Sequence, residues 1–141
     1  MSSETNKDIV RRIYEAMAKG DGTLFAASLH EDCVWRLPGQ ASWSRRFEGL
    51  DSVNRDLFRP LFARFATPYT AQLVSLIGEG DTVVAEVKGD VTTIDGARYA
   101  NDYCFIFRFR DGKITEVVEY GDTALEDRVL GSYEDAVALL R

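Results

Sequence analysis

The sequence predicts an α+β fold in which a curved antiparallel sheet wraps around helices from the N-terminal half. Three observations carry this. Helical apolar spacing dominates the first half of the chain. From Tyr69 to Tyr120 the pattern becomes strand-like, broken at Gly78-Glu79-Gly80-Asp81, Asp95-Gly96 and Asp111-Gly112. Within that run, Tyr99 to Phe109 alternates aromatic and other residues. Helices followed by a meander of strands give an antiparallel sheet, not alternating βαβ units.

Each element has a local cause. From Lys7 to Lys19, the residues Ile9, Ile13, Ala16 and Met17 recur at helical spacing. Thr5 or Asn6 can cap the start and Gly20 can end it. Thr23 caps a short second helix, Leu24 to Leu29. Val34-Trp35-Arg36-Leu37-Pro38 reads as a short strand ended by Pro38-Gly39, and a loop follows through Phe47. Asp51 caps a third helix, with Val53, Leu57, Leu61 and Phe65 on one stripe and Pro60 as a kink. Tyr69 to Ile77, Thr82 to Thr93, Arg98 to Phe109 and Ile114 to Tyr120 are the four strands. Two short helices close the chain, after Asp122 and after Ser132, where Ser132 and Asp135 have near capping-box spacing.

The chain has 141 residues, the usual size of one domain, and residues 1–141 are read as one. It is 45% hydrophobic and 28% charged, with a net charge of −6. The isoelectric point near 4.8 and scattered basic residues argue against nucleic acid and anionic membranes as partners. No apolar run is long enough to cross a bilayer, and the polar start MSSETNKDIV has no signal core. Cys33 and Cys104 lack CxxC spacing; one disulfide is compatible with them, but a reduced compartment is the better fit. The expected location is the cytoplasm.

A curled sheet around helices leaves a cone open at one end. On the third strand, Tyr99, Asn101, Tyr103, Phe105, Phe107 and Phe109 share the inner face, with Asn101 and Tyr103 as polar groups at its upper end. Turn geometry decides what joins them. A two-residue turn at Asp95-Gly96 sets Asp90 opposite Asn101, Lys88 opposite Tyr103 and Glu86 opposite Phe105. A slip of one residue sends Glu86, Lys88 and Asp90 outside and brings Val83, Ala85 and Val87 in. Both registers fit the pattern. Glu119 depends on the next hairpin. A two-residue Asp111-Gly112 turn puts it opposite Cys104, outside; a three-residue loop with a glycine bulge puts it opposite Tyr103, inside. Val117, two residues earlier, shares its face.

The stretch YANDYCFIFRFRDGKITEVVEYGDT (Tyr99 to Thr123) resembles the nuclear transport factor 2-like superfamily, and within it the polyketide cyclase SnoaL-like group. The opening IVRRIYEAMAKGDGTLFAASLHEDCVWRLPG (Ile9 to Gly39) is similar to the same group. The resemblance implies one cone-shaped domain, a cystatin-like α+β roll, usually dimeric through the outer face of the sheet. Its members include ketosteroid isomerases, epoxide hydrolases, polyketide cyclases and proteins without known activity. It also implies roles. In the epoxide hydrolases a pocket carboxylate precedes the Tyr-x-Asp of the last strand, which is Glu119 here. A second carboxylate lies on the preceding hairpin, similar to Lys88-Gly89-Asp90. The residues that hold their water fall on Val34 and Arg36, so that part is missing. The ketosteroid isomerase base falls at Arg36 and its helix-1 tyrosine at Ile13, which speaks against that mechanism. Its protonated aspartate falls near Tyr103, which can donate a hydrogen bond.

The candidate chemistry follows. Glu119 at the end of an apolar cone can serve as general acid or base, with Asp90 as a second carboxylate. Tyr103 and Asn101 can polarise a carbonyl or hold a substrate hydroxyl, or simply satisfy the core edge and a loop. Trp35 and Arg36 alternate, so one of them faces inward, Arg36 as an anion or carbonyl site, Trp35 as packing. His30, the lone histidine, suits a solvated loop or the pocket mouth; it cannot build a metal site alone, and no metal or cofactor is expected. The leading expectation is a cofactor-free isomerase, cyclase, lyase or hydrolase that moves protons on a small apolar organic substrate. The alternatives are a non-catalytic ligand-binding module and a dimeric scaffold.

Overall fold

The computed structural model describes residues 2–141. Helix α1 (Ser3–Met17) starts earlier than the periodicity indicates, because Ser2 caps it by accepting from the Thr5 backbone N–H. Its buried stripe is Asn6, Val10, Ile13 and Tyr14. Gly20 turns the chain at φ 80° into α2 (Thr23–Ser28). Burying side chains such as Val10 and Ile13 contributes roughly 1.5–3 kcal/mol each, which pins α1 to the sheet.

Strand β1 (Leu29–Arg36) is longer than expected, and the loop beyond Pro38 holds a short strand, β2 (Arg46–Glu48). The third helix, residues 50–62, is π-helical across Val53–Phe58. Just after this stretch stands Pro60, which has no N–H for an α-helical bond to Asp56. The Asp56 carbonyl accepts the Tyr133 hydroxyl at 2.6 Å. The last helix (Tyr133–Ala138) is thereby tied to the third.

The sheet order is β2-β1-β7-β6-β4-β3, with β3 (Thr70–Glu79), β4 (Thr82–Thr92), β6 (Asp102–Arg110) and β7 (Lys113–Tyr120) forming the antiparallel meander. The expected third strand is interrupted at Ala100 and Asn101, which leaves β5 (Arg98–Tyr99) as a separate piece paired with β4. Strand β1 lies parallel to β7, with Trp35 beside Val117. That pairing brings the N-terminal half of the chain to the end of the meander.

Two hairpins fix which side chains point inward. Between β4 and β5, Thr93 and Ala97 close a three-residue loop, Ile94-Asp95-Gly96, with Gly96 at φ 81°. The slipped register follows: Val87 opposes Tyr103, Ala85 opposes Phe105 and Val83 opposes Phe107. The other hairpin is a two-residue turn, with Asp111 at φ 50° and Gly112 at φ 78°. That turn alone would send Glu119 outward. Thr115 is an extra residue on β7, however, and the register shifts between Arg108 and Phe109. The Thr115 hydroxyl donates to the Arg108 carbonyl at 3.2 Å. After this bulge Glu119 stands opposite Phe105, on the inner face.

Candidate functional site

The curled sheet and the helices enclose a cavity of about 510 Å³. Its walls are aromatic and aliphatic, with Phe25, Trp35, Trp43, Leu57, Phe58 and Phe105 among them. The lining residues exposed to solvent, Gly22, Ala26, Phe62 and Thr67, mark the mouth between the α1–α2 turn and the end of the third helix. Trp35 anchors the wall. It stacks on Phe25 with ring centroids 5.7 Å apart and meets Phe58 edge-on at 5.1 Å.

Polar groups converge inside. The Trp35 indole Nε1 donates to Glu119 Oε1 at 3.1 Å. Glu119 is half-buried and lines the cavity. Burial, with help from the charge of Glu126, pushes its pKa up to about 8, against the opposing hydrogen bond from Trp35. Glu126 also lines the cavity and is only 4% exposed. Burial, followed by the charges of Asp127 and Asp122, raises it to about 7. Two carboxyl groups in one apolar chamber therefore titrate near neutrality, where one can give a proton while the other holds a charge.

Four tyrosines complete the polar surface. Tyr103 interacts with Tyr69 and Tyr99, and burial raises all three well above the usual phenol range. They are neutral hydrogen-bond donors at physiological pH. Gly89 on β4 makes this cluster possible, since a Cβ there would lie 2.1 Å from the Tyr69 hydroxyl and 2.9 Å from the Tyr103 ring. Tyr14, on α1, is 2% exposed, lines the cavity, and its hydroxyl has no hydrogen-bond partner. Such an orphan costs stability unless a ligand or water meets it.

Of the residues singled out from sequence, the structure brings Glu119, Tyr103 and Trp35 together on the cavity. The others lie elsewhere. Asp90 is outside, where Arg98 clamps both carboxylate oxygens at 2.9 Å and holds the pKa down. Lys88 pairs with Asp102 on the outer face at 3.0 Å. Both placements follow from the three-residue hairpin loop. Asn101 is buried behind the wall; its amide donates to the Tyr99 hydroxyl at 2.9 Å and its carbonyl accepts from the Asp122 N–H at 3.1 Å. It positions Tyr99 and the turn after β7. Arg36 takes the face opposite Trp35. Val117 is fully buried on the inner face, in the core beside Trp35 and Phe107, and does not line the cavity. His30 lies on β1 away from the mouth, with Nε2 3.2 Å from an Arg110 guanidinium nitrogen.

Glu126, Tyr14, Tyr69 and Tyr99 were missed as site residues. Two had a signal. Glu126 and Leu130, four apart in the helical segment 123–130, lie on one buried side, and Tyr14 stands four residues after the buried Val10.

Known proteins share this architecture. The family model described as "SnoaL-like domain" matches residues 10–117. The chain belongs to the SnoaL-like domain family, within the nuclear transport factor 2-like superfamily. This SnoaL-like chain is 25% identical over 138 residues to the uncharacterised PhzA/B-like protein PA3332 of Pseudomonas aeruginosa, covering 96% of both chains. A putative SnoaL-like polyketide cyclase from Jannaschia sp. CCS1 superimposes with a TM-score of 0.72 at 14% identity, over 92% of this chain and 93% of that one. TerC, co-crystallised with polyporic acid, superimposes with a TM-score of 0.73 at 21% identity, over 91% of this chain and 99% of that one. These likenesses establish the cone fold of the SnoaL-like chain. Among its described residues no group of three or more His, Cys, Asp or Glu is placed to hold a metal ion. Among those residues no helix is long and apolar enough to cross a membrane. Cys33 is buried and Cys104 exposed, and both are free thiols.

Proposed function

We propose that this SnoaL-like protein is an acid–base enzyme that moves protons on a small, largely apolar organic substrate enclosed in the cavity. The observation that carries the reading is Glu119, a carboxyl group held by Trp35 inside an aromatic chamber, with Glu126 sharing that chamber. Protonated, Glu119 is a general acid; ionised, it is a desolvated and therefore strong base. Glu126 takes the place that the sequence assigned to Asp90. Tyr103, with Tyr69 and Tyr99 beside it, is placed to donate to an oxygen on which negative charge develops. One structural neighbour is named a polyketide cyclase and another was co-crystallised with polyporic acid, which supports a cyclic organic substrate.

The test needs no knowledge of the natural substrate. 5-Nitrobenzisoxazole opens to a coloured cyanophenolate when a base removes its C–H proton, and an apolar chamber with a carboxylate base should turn it over. The wild type is expected to do so, and Glu119→Gln to lose at least tenfold in kcat/KM with a melting temperature no lower than the wild type's. Unchanged turnover in Glu119→Gln would contradict the reading. Probe binding without turnover in the wild type would leave a ligand-binding module instead.

We also propose that two copies pair through the outer face of the sheet, as the resemblance implies. Val74, Ile77 and Tyr120 expose apolar surface there. Sedimentation velocity should show a dimer that Ile77→Lys dissociates; a wild-type monomer at micromolar concentration would refute this.

A further inference from the structure

The cavity carries a charge pattern that acid–base chemistry alone does not require. Glu119 and Glu126 both face it, and among the described residues no Lys, Arg or His lines it. Nor, among the described residues, does a cation act on either group from behind the wall. Glu119 has Glu126, Trp35 and the hydroxyls of Tyr14, Tyr69, Tyr99 and Tyr103 around it. Glu126 has Asp122, Asp127 and Tyr99, and no neighbour donates a hydrogen bond to its carboxyl. Ionising either carboxyl without a counter-charge is costly, which is why burial keeps both protonated up to near-neutral pH.

The walls point the same way. Phe25, Trp35, Trp43, Phe58, Phe62 and Phe65 line the chamber, Phe25 stacked on Trp35 and Phe58 on Phe62. Aliphatic side chains would exclude water equally well. Ring faces are negative at the centre and attract organic cations, by about 2 kcal/mol or more where water is excluded. A third observation is independent of both. The Tyr14 hydroxyl is buried, unpartnered and on the cavity wall, where its oxygen can accept a hydrogen bond.

We propose that the ligand of this cavity is a hydrophobic organic cation, a protonated or quaternary amine on a ring-sized apolar body, held between Glu119, Glu126 and the aromatic walls. The proposal rests on the reading of this cavity as the substrate site and names the substrate class. The ligand brings the missing positive charge, and the rings cover the rest of it. Because binding favours both carboxylates in their ionised form, it releases protons, and affinity rises with pH between 6 and 8.5.

The probes are phenyltrimethylammonium and its neutral isostere tert-butylbenzene, compared by quenching of tryptophan fluorescence. The quaternary nitrogen does not titrate, so any pH dependence belongs to the protein. The wild type is expected to bind the cation at least tenfold more tightly than the isostere at pH 8.5, with the preference shrinking towards pH 6. Glu119→Gln/Glu126→Gln should bind both alike, with a melting temperature at least that of the wild type. Equal or tighter binding of tert-butylbenzene to the wild type overturns the cation proposal and leaves the substrate cavity standing. So does a cation preference that survives in the double variant. Failure of both probes to bind overturns the cavity as a substrate site and this proposal with it.

Discussion

Trp35 on the first strand and Glu119 on the last are joined side chain to side chain, indole N–H to carboxylate oxygen, at 3.1 Å. The parallel pairing of β1 with β7 creates this contact, and the bulge at Thr115 turns Glu119 to meet it. Trp35→Phe keeps most of the packing and removes the donor. Since that hydrogen bond favours the ionised carboxylate, its loss should move the Glu119 titration further up. The pH profile of 5-nitrobenzisoxazole opening would show this as an alkaline displacement of its rising limb. A profile that stays in place would mean that the bond has no effect on the carboxylate.

Stability should fall as pH rises. Glu119 and Glu126 have folded-state pKa values near 8 and 7, above the ordinary carboxylate value of 4.5. The folded state therefore binds more protons than the unfolded chain between those limits. The stability these groups contribute is full below about pH 4.5 and is lost as pH climbs through 7 and 8. Glu119→Gln should accordingly be more stable than the wild type at pH 8.5, by a few kcal/mol, and indistinguishable near pH 4.5. Urea unfolding at the two pH values measures the difference.

Tyr133 holds the last helix to the third through its bond to Asp56, and it also packs edge-on to Trp43 with ring centroids 5.3 Å apart. Tyr133→Phe keeps the ring and removes one partly buried hydrogen bond. The expected cost is about 1 kcal/mol, read as a lower denaturation midpoint with an unchanged slope.

Gly89 leaves room for the tyrosine cluster. Gly89→Ala forces the Tyr69 hydroxyl away from Tyr103, and overpacking of this kind costs about 1–3 kcal/mol. Probe turnover should drop along with stability, and Gly89→Ala/Tyr69→Phe, which removes the clashing hydroxyl, should recover part of the stability.

Asp90→Asn separates the two readings of the β4–β5 hairpin. Its ion pair with Arg98 is exposed, so the stability change should be under about 1 kcal/mol. Probe turnover should be unchanged, because Asp90 faces away from the cavity.

The cone and its aromatic third strand are legible in the sequence, because alternation and helical spacing are local signals; Glu119 stands out there only through the family resemblance. It leaves register open, because a shift of one residue reverses every side chain at no local cost. Asp90 and Lys88 fall outside on one extra loop residue, Ile94. Glu119 falls inside on one extra strand residue, Thr115, and not on the glycine turn that first suggests itself. Tyr14 and Glu126 join the site only through tertiary packing, α1 against the sheet and residues 123–130 across its end. Helical spacing groups Tyr14 with Val10 and Glu126 with Leu130, but does not tell a cavity-lining face from an ordinary buried one.

The most direct measurement is the titration of Glu119 itself, by carboxyl-carbon NMR of protein labelled at glutamate and assigned with Glu119→Gln. A midpoint near 8, lowered when Glu126→Gln removes the neighbouring charge, is expected of a carboxyl group poised for proton transfer in an aromatic cavity. A midpoint near 4.5, unaffected by Glu126→Gln, would show a solvated carboxylate and contradict that role.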